Sequence, residues 1–384
     1  MKKILSKEEI VGFIKELYPA ENFIPLHAPK FSQKDKDYVL DTIESNFVSS
    51  VGKYVDKFEK MICDYTGAKY AVAVVNGTSA LHISLLLAGV KQGDLVITQA
   101  LSFIATCNAI SYLGAEPCFI DVDSSTLGLS ATALELFLQS NTYIKNNICF
   151  EKSTNKKISA CVPMHTFGFP TQIDAIIEVC SKYYIPVVED AAESIGSTYK
   201  GKHTGTFGLF GTYSFNGNKI ITCGGGGIIV TNNEELGKKA KHLTTQAKVP
   251  HRWEFFHDHI GYNYRCPNLN AALACAQLEK LDEFILNKRA TANAYKNFFK
   301  GTNIEFNSES IDARSNYWLN SVMFASIEKR DEFLKFSNSS GVMTRPIWAL
   351  MHRMRMFENC IHDGLTNSVY LESCLVNLPS SVRL

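Results

Sequence analysis

The feature that most constrains this chain is an alternation of two patterns between residues 69 and 231. Short apolar runs, KYAVAVV (69–75), LVIT (95–98), PCFIDV (117–122), ISACVPMH (158–165) and IPVVED (185–190), have the length and β-rich make-up of strands. Between them lie stretches with helical spacing: ALHISLLLAG after NGTS, ATCNAISYLG (105–114), SATALELFLQS (130–140) with Ser130 as its cap, and IDAIIEVCSKYY (173–184). Strands alternating with helices of this length predict βαβ units and a mostly parallel sheet. The strands are apolar nearly end to end, as strands covered on both faces must be. The expected class is α/β, a mostly parallel central sheet with helices on both faces.

After Thr231 the pattern changes. NNEELGKKAKHL predicts a polar helix, and 267–299 one long helical stretch. NYWLNSVMFA (316–325) then predicts a strand, and EKRDEFLKFS (328–337) a helix. The expected division is an N-terminal arm with a large α/β domain over 1–250, then a small α+β domain over 251–384; a chain of 384 residues has room for both.

Charge and composition exclude several partner classes. A net charge of +1 gives no electrostatic footprint for nucleic acid or an anionic membrane. No apolar run approaches the roughly 18 residues of a spanning helix. The start, MKKILSKEEI, turns charged before an apolar h-region forms, so no signal peptide is expected. The eleven cysteines form no CxxC pair, and Cys63, Cys107, Cys161 and Cys180 lie in apolar runs, which predicts reduced thiols and a cytoplasmic protein.

Three features fall at strand ends, where open α/β sheets bind their ligands. Asn76-Gly77-Thr78-Ser79 joins a strand to a helix: Gly77 permits a turn, and Thr78 and Ser79 offer hydroxyls and N–H groups for an anion, or simply cap the helix. Glu189-Asp190 ends VVED. A carboxylate there needs a cationic or N–H partner, either a cofactor's ring nitrogen or the next helix. Third is SFNGNKIITCGGGGIIVT (214–231), with Ser214 at a strand end and Lys219 five residues on. Lys219 is either a turn charge or a nucleophile whose pKa desolvation and nearby positive charge would lower. A phosphate cradle, a ring-nitrogen carboxylate and a buried-type lysine are together the parts that a pyridoxal-phosphate enzyme requires. The glycine run, Gly224 to Gly227, precedes a strand instead of opening a helix, so the dinucleotide fingerprint is absent.

NGTSALH, SFIATCNAI, VVEDAAESIGS, YSFNGNKIITCGGGGIIVT and IGYNYRCPNLNAALACAQLEKLD, in that order and spacing, resemble the DegT/DnrJ family of sugar aminotransferases, from about Pro25 to past Leu350. FVSSVGKYVDKFE (47–59), TTQAKVPHRWEF (244–255) and TRPIW (344–348) are similar to its subgroup that aminates UDP-linked 4-keto-6-deoxy sugars, as in legionaminic-acid-type pathways. The resemblance implies a fold-type-I, aspartate-aminotransferase-like enzyme that uses pyridoxal 5′-phosphate to move an amino group from L-glutamate to the C4 ketone of a nucleotide-linked sugar, for surface-glycan or nonulosonic-acid biosynthesis. Lys219 matches the lysine that carries the cofactor. Gly77, Thr78, Ser79 and Ser214 match the phosphate site, Phe103 the aromatic residue on the pyridine ring, and Asp190 the ring-nitrogen partner. Glu193 falls where many members carry Gln near the phenolic oxygen, and a carboxylate there would need different protonation. Asn263 looks like the residue that reaches the neighbouring subunit's cofactor phosphate, which implies a homodimer with shared sites. Relatives that became dehydratases have histidine in place of the lysine, so Lys219 favours transamination.

Other residues have two readings each. His165, at a strand end, is a substrate contact or a hydrogen-bonded structural histidine. Arg265 binds an anion or forms an ion pair. Trp348, His352 and Arg353 fall where the family's C-terminal domain lines the substrate mouth. His257 and His259, alone at i and i+2, predict no metal site. A 3-keto sugar aminotransferase and a non-catalytic cofactor-binding regulator of the same fold are the alternatives to the expected activity.

Overall fold

A computed structural model describes residues 2–19 and 22–383. Three helices precede the sheet: α1 (Lys7–Leu17), α2 (Gln33–Glu44) and α3 (Lys53–Thr66). Ser6 and Glu9 cap α1 reciprocally, each side chain bonding the other's backbone N–H.

The core is a seven-strand sheet. Its strands are β1 (Tyr70–Val74), β2 (Leu95–Gln99), β3 (Glu116–Ile120), β4 (Ile158–Val162), β5 (Val188–Asp190), β6 (Phe210–Ser214) and β7 (Gly227–Thr231). Ladders join β1–β7–β6–β5 and β3–β2–β4, and parallel bridges Cys161–Val187 and Met164–Asp190 connect the two halves. Every strand runs the same way except β7, which is antiparallel to both neighbours. The mostly parallel expectation therefore holds, with one reversal the sequence did not reveal. That reversal matters: the start of β7 meets the ends of β1 and β6, pairing Gly227 with Val74 and with Ser214. The glycine run thus enters the same sheet edge as Asp190.

Helices α4 (Gly77–Leu87), α5 (Ile104–Tyr112), α6 (Ala131–Asn141), α7 (Ile173–Lys182) and α8 (Glu234–Thr244) follow strands and cover the sheet. Eight of the nine residues from Gly77 to Leu85, all but Thr78, are buried in α4, the signature of a helix enclosed on all sides. Ser130 caps α6 as expected, accepting from the Ala133 N–H at 3.2 Å.

The expected single helix over 267–299 is two, α9 (Asn268–Leu278) and α10 (Leu281–Phe299). Each serves a different layer. α9 packs on α2 and α3, while α10 reaches the C-terminal sheet, whose strands β8 (Glu305–Phe306), β9 (Asn320–Met323), β10 (Arg345–Pro346) and β11 (Leu375–Leu378) run in the order β8–β9–β11–β10. Ile10, Val11 and Ile14 of α1 pack in one apolar cluster with Tyr295, Val322, Phe333 and Val376, so the chain's start is embedded among its C-terminal elements. Helices α11 (Ile327–Ser339) and α12 (Thr366–Cys374) complete this layer.

Candidate active site

The carboxyl edge of the sheet opens into a cavity of about 330 Å³. Gly77, Thr78, Phe103, Asp190, Glu193, Ser214 and Lys219 all line it.

One wall is the start of α4. Asn76, not Thr78 or Ser79, is its cap: Asn76 Oδ1 accepts the Ser79 N–H at 2.8 Å. The first N–H groups of the helix have no partner within it and, with the helix dipole, favour an anion. Close packing holds this wall against the strand ends. A Cβ on Gly77 would stand 2.9 Å from Ser214 Cβ, and one on Gly227 would stand 2.4 Å from the Asn76 carbonyl oxygen. The last glycine of the run therefore lets β7 abut the Asn76 turn at the start of α4.

The floor is Asp190. It is buried, accepts from Thr106 Oγ1 at 2.6 Å and from the Ala192 N–H at 3.1 Å, and pairs with no cation among the described residues. Ser102 Oγ donates in turn to Thr106 at 3.2 Å. A buried carboxylate without a cation, facing a cavity, suits a ligand that brings a charged N–H.

Lys219 lies in the turn after β6, opposite Asp190's loop. Its Nζ donates to Glu193 Oε1 at 3.1 Å and stands 4.2 Å over the Trp318 ring. Among the described residues no positive charge adjoins it, contrary to the sequence expectation; a carboxylate and a π face do. Glu193 is buried, and its other oxygen accepts the Phe167 N–H at 2.9 Å. Burial pushes its carboxyl up to about 7, against the pull of the Lys219 ammonium. A buried glutamic acid that keeps its proton presents one donor and one acceptor, as a Gln side chain does.

Residues 29–384 match the DegT/DnrJ/EryC1/StrS aminotransferase family. The chain belongs to that family. It is 39% identical over 336 residues to a GDP-perosamine synthase of Escherichia coli O157:H7, covering 87% of each chain. It is 34% identical over 368 residues to a GDP-perosamine synthase of Caulobacter vibrioides, covering 94% of each. Among solved structures, the aminotransferase TlmJ from Streptoalloteichus hindustanus superposes with a TM-score of 0.84 at 25% identity over 93% of both chains. The protein is thus a pyridoxal-phosphate-dependent sugar aminotransferase of fold type I.

The geometry of this aminotransferase fits its cofactor: an anion-binding turn, an unpaired buried carboxylate, an aromatic side chain and an amine share one cavity. The other expected residues fall elsewhere. Ser79 is buried outside the lining, with its N–H taken by Asn76. His165 is fully buried away from the cavity. Its Nδ1 accepts the Thr171 N–H at 3.2 Å, so Nε2 carries the proton and donates to Glu189 at 3.0 Å. Glu189 also accepts the Gly205, Phe207 and Gly208 N–H groups, each at 2.7 Å, so this pair ties a loop, in line with the structural reading of His165. His352 stands outside the cavity against His362, with ring centroids 5.5 Å apart, and Arg353 pairs with Glu372. Trp348 does line the cavity, 6.0 Å from the Phe103 ring. Asn263 is exposed outside its own cavity and accepts from Arg265 Nε at 3.2 Å. His259 is not alone: His242, from α8, and His259 both contact Asp258, at 2.6 and 3.0 Å, and hold its carboxyl down at about 2.

Sequence reasoning missed Trp318, Asn218 and Met164, which also line the cavity. The signal for Trp318 was an aromatic pair in SNYWLN, which reads equally as a strand start.

Proposed function

We propose that this enzyme transfers an amino group from L-glutamate to the C4 ketone of a nucleotide-linked 4-keto-6-deoxy sugar. The observation that carries the reading is the cavity itself, in which Lys219, an unpaired Asp190 and the α4 N-terminus converge. The nucleotide is assigned as GDP, in place of the UDP implied by the legionaminic-type resemblance, because both named synthases carry GDP in their names.

When bound, pyridoxal phosphate delocalises the electron pair left as a proton leaves the carbon beside the substrate nitrogen. The chain's residues do the rest. Thr78, Ser214 and the α4 N–H groups bind the phosphate. Asp190, fixed by Thr106, keeps a proton on the ring nitrogen, and Phe103 covers one ring face. Glu193, when protonated, would offer its O–H to the phenolic oxygen. With the cofactor bound, the free amine of Lys219 would remove the proton from the substrate carbon beside the nitrogen and return one to the carbon on the other side of that nitrogen. Asn263 serves the phosphate in the cavity of a second copy, so the working unit is a homodimer in the cytoplasm.

Borohydride reduction and peptide mapping are expected to place the cofactor on Lys219, and Lys219→Ala to abolish the covalent link. A link at any other lysine sinks the assignment. Glutamate with GDP-, UDP- and dTDP-linked 4-keto sugars, with NMR of the product, tests the substrate: amination of only the UDP sugar restores the legionaminic-type reading, and a C3 amine replaces the C4 one. A protein that bound cofactor but aminated none would be the non-catalytic regulator.

A further inference from the structure

Lys288, on α10, is fully buried and forms no ion pair among the described residues. A lysine in that position is costly unless its N–H groups are used. Its Nζ donates to the Trp318 carbonyl at 3.2 Å and to the Ser380 carbonyl. A neutral amine has two N–H donors, matching these two acceptors. Burial pushes the Lys288 pKa down to about 7, in keeping with that count.

The carbonyl Lys288 holds belongs to the residue whose ring covers Lys219. Trp318 is fixed at two further points: its N–H donates to Asn316 Oδ1 at 2.8 Å, and its indole Nε1 to the Asn218 carbonyl at 2.8 Å, one residue before Lys219. Asn316 also donates to the Glu193 carbonyl at 2.9 Å, so one short segment braces both neighbours of the Lys219 amine. Tyr317 between them has φ +48°, a left-handed backbone that an aromatic residue adopts only when its surroundings impose it. Among the described residues, the charged or titratable groups around this segment are Glu193 and Lys219 on the cavity side, His27, which feels both lysines, and the Arg289–Glu309 pair, which bonds the Ser315 backbone and lies against Tyr317.

We propose that Lys288 is a positioning residue of the active site: by holding the Trp318 carbonyl it sets the indole face against the Lys219 amine whenever that amine is free. This rests on Lys219 being the reacting lysine, yet its test does not. In the full-length chain stripped of cofactor, acetic anhydride labelling read by mass spectrometry measures how shielded Lys219 is, with Lys241, remote and paired to Glu59, as the internal standard. Lys288→Met should label Lys219 several-fold faster relative to Lys241. Trp318→Leu should give the same gain, and the double variant no more than either. In the holoenzyme, Lys288→Met should lower kcat about tenfold with KM for glutamate within about twofold. An unchanged Lys219 rate, or gains that multiply in the double variant, overturns the proposal. If the Met variant does not fold, Lys288→Leu, which also removes both N–H donors, carries the comparison: a gain supports the proposal and no gain overturns it. Borohydride mapping decides separately whether Lys219 carries the cofactor.

Discussion

Glu193 and Asp190 are both buried carboxylates in one cavity, and their partners separate their roles. Glu193 has a folded pKa raised from 4.5 to about 7, so its folded form holds a proton that the unfolded chain has already released. Stability from this group is present below about pH 4.5 and lost as pH rises through about 7. In cofactor-free protein, Glu193→Gln should remove that decline, a difference of up to roughly 3 kcal/mol between pH 4.5 and 8. Urea unfolding across that range checks it; parallel curves for both proteins would refute the buried proton. Asp190 depends on Thr106 for its one side-chain hydrogen bond. Thr106→Val removes a bond to a charged group and should lower kcat/KM about tenfold or more with the fold intact. Steady-state kinetics within twofold of wild type would detach Thr106 from turnover. Asp190, Ser214 and the Asn76 turn were legible because each sits at a strand end in the sequence, and Lys219 because it follows Ser214 by five residues. The Trp318 contact was not, because some hundred residues separate it from Lys219 and no local pattern encodes that approach.

At the scale of elements, the decisive one is β7. An apolar run such as GIIVT reports burial but not direction, so the sequence shows a strand and not its reversal. The break between α9 and α10 was hidden for a related reason: no Gly or Pro marks 279–280, and the two helices diverge because they pack on different layers. Alternation of strand and helix made the parallel core readable, since covering both faces demands it. The reversal places Gly227 against Asn76, which gives a sharp test. Gly227→Ala brings a methyl to 2.4 Å from a backbone oxygen, and neither side can rotate away. The expected cost is about 1–3 kcal/mol, with weaker cofactor retention as the anion-binding turn shifts. Gly225→Ala meets nothing closer than 3.6 Å and should be near neutral. Thermal melts and cofactor retention on dialysis distinguish them; equal effects would mean that the run acts through flexibility and not through this contact.

The whole molecule carries a surface that one chain does not cover. Between α8 and α9 a hairpin of Lys248–Val249 and Phe256–His257 exposes Trp253 by 72%, Phe255 by 81% and Ile260 by 87%. Large apolar side chains so exposed are what the partner surface of the proposed homodimer would cover. Asn263 lies just beyond, bridged to Thr245 and outside its own cavity. Under the homodimer proposed above, this hairpin would lie in the interface and each Asn263 would reach the opposite site. Subunit mixing then has an arithmetic outcome. Lys219→Ala and Asn263→Ala homodimers each lack part of every site. In a randomly mixed dimer, one site has both mutations and the other has neither. Half of an equimolar mixture is heterodimer, so about a quarter of wild-type sites should reappear after denaturation and refolding together. Activity that equals the mean of the two parents would place Asn263 in its own chain's cavity, and full activity of Asn263→Ala alone would remove it from the site altogether.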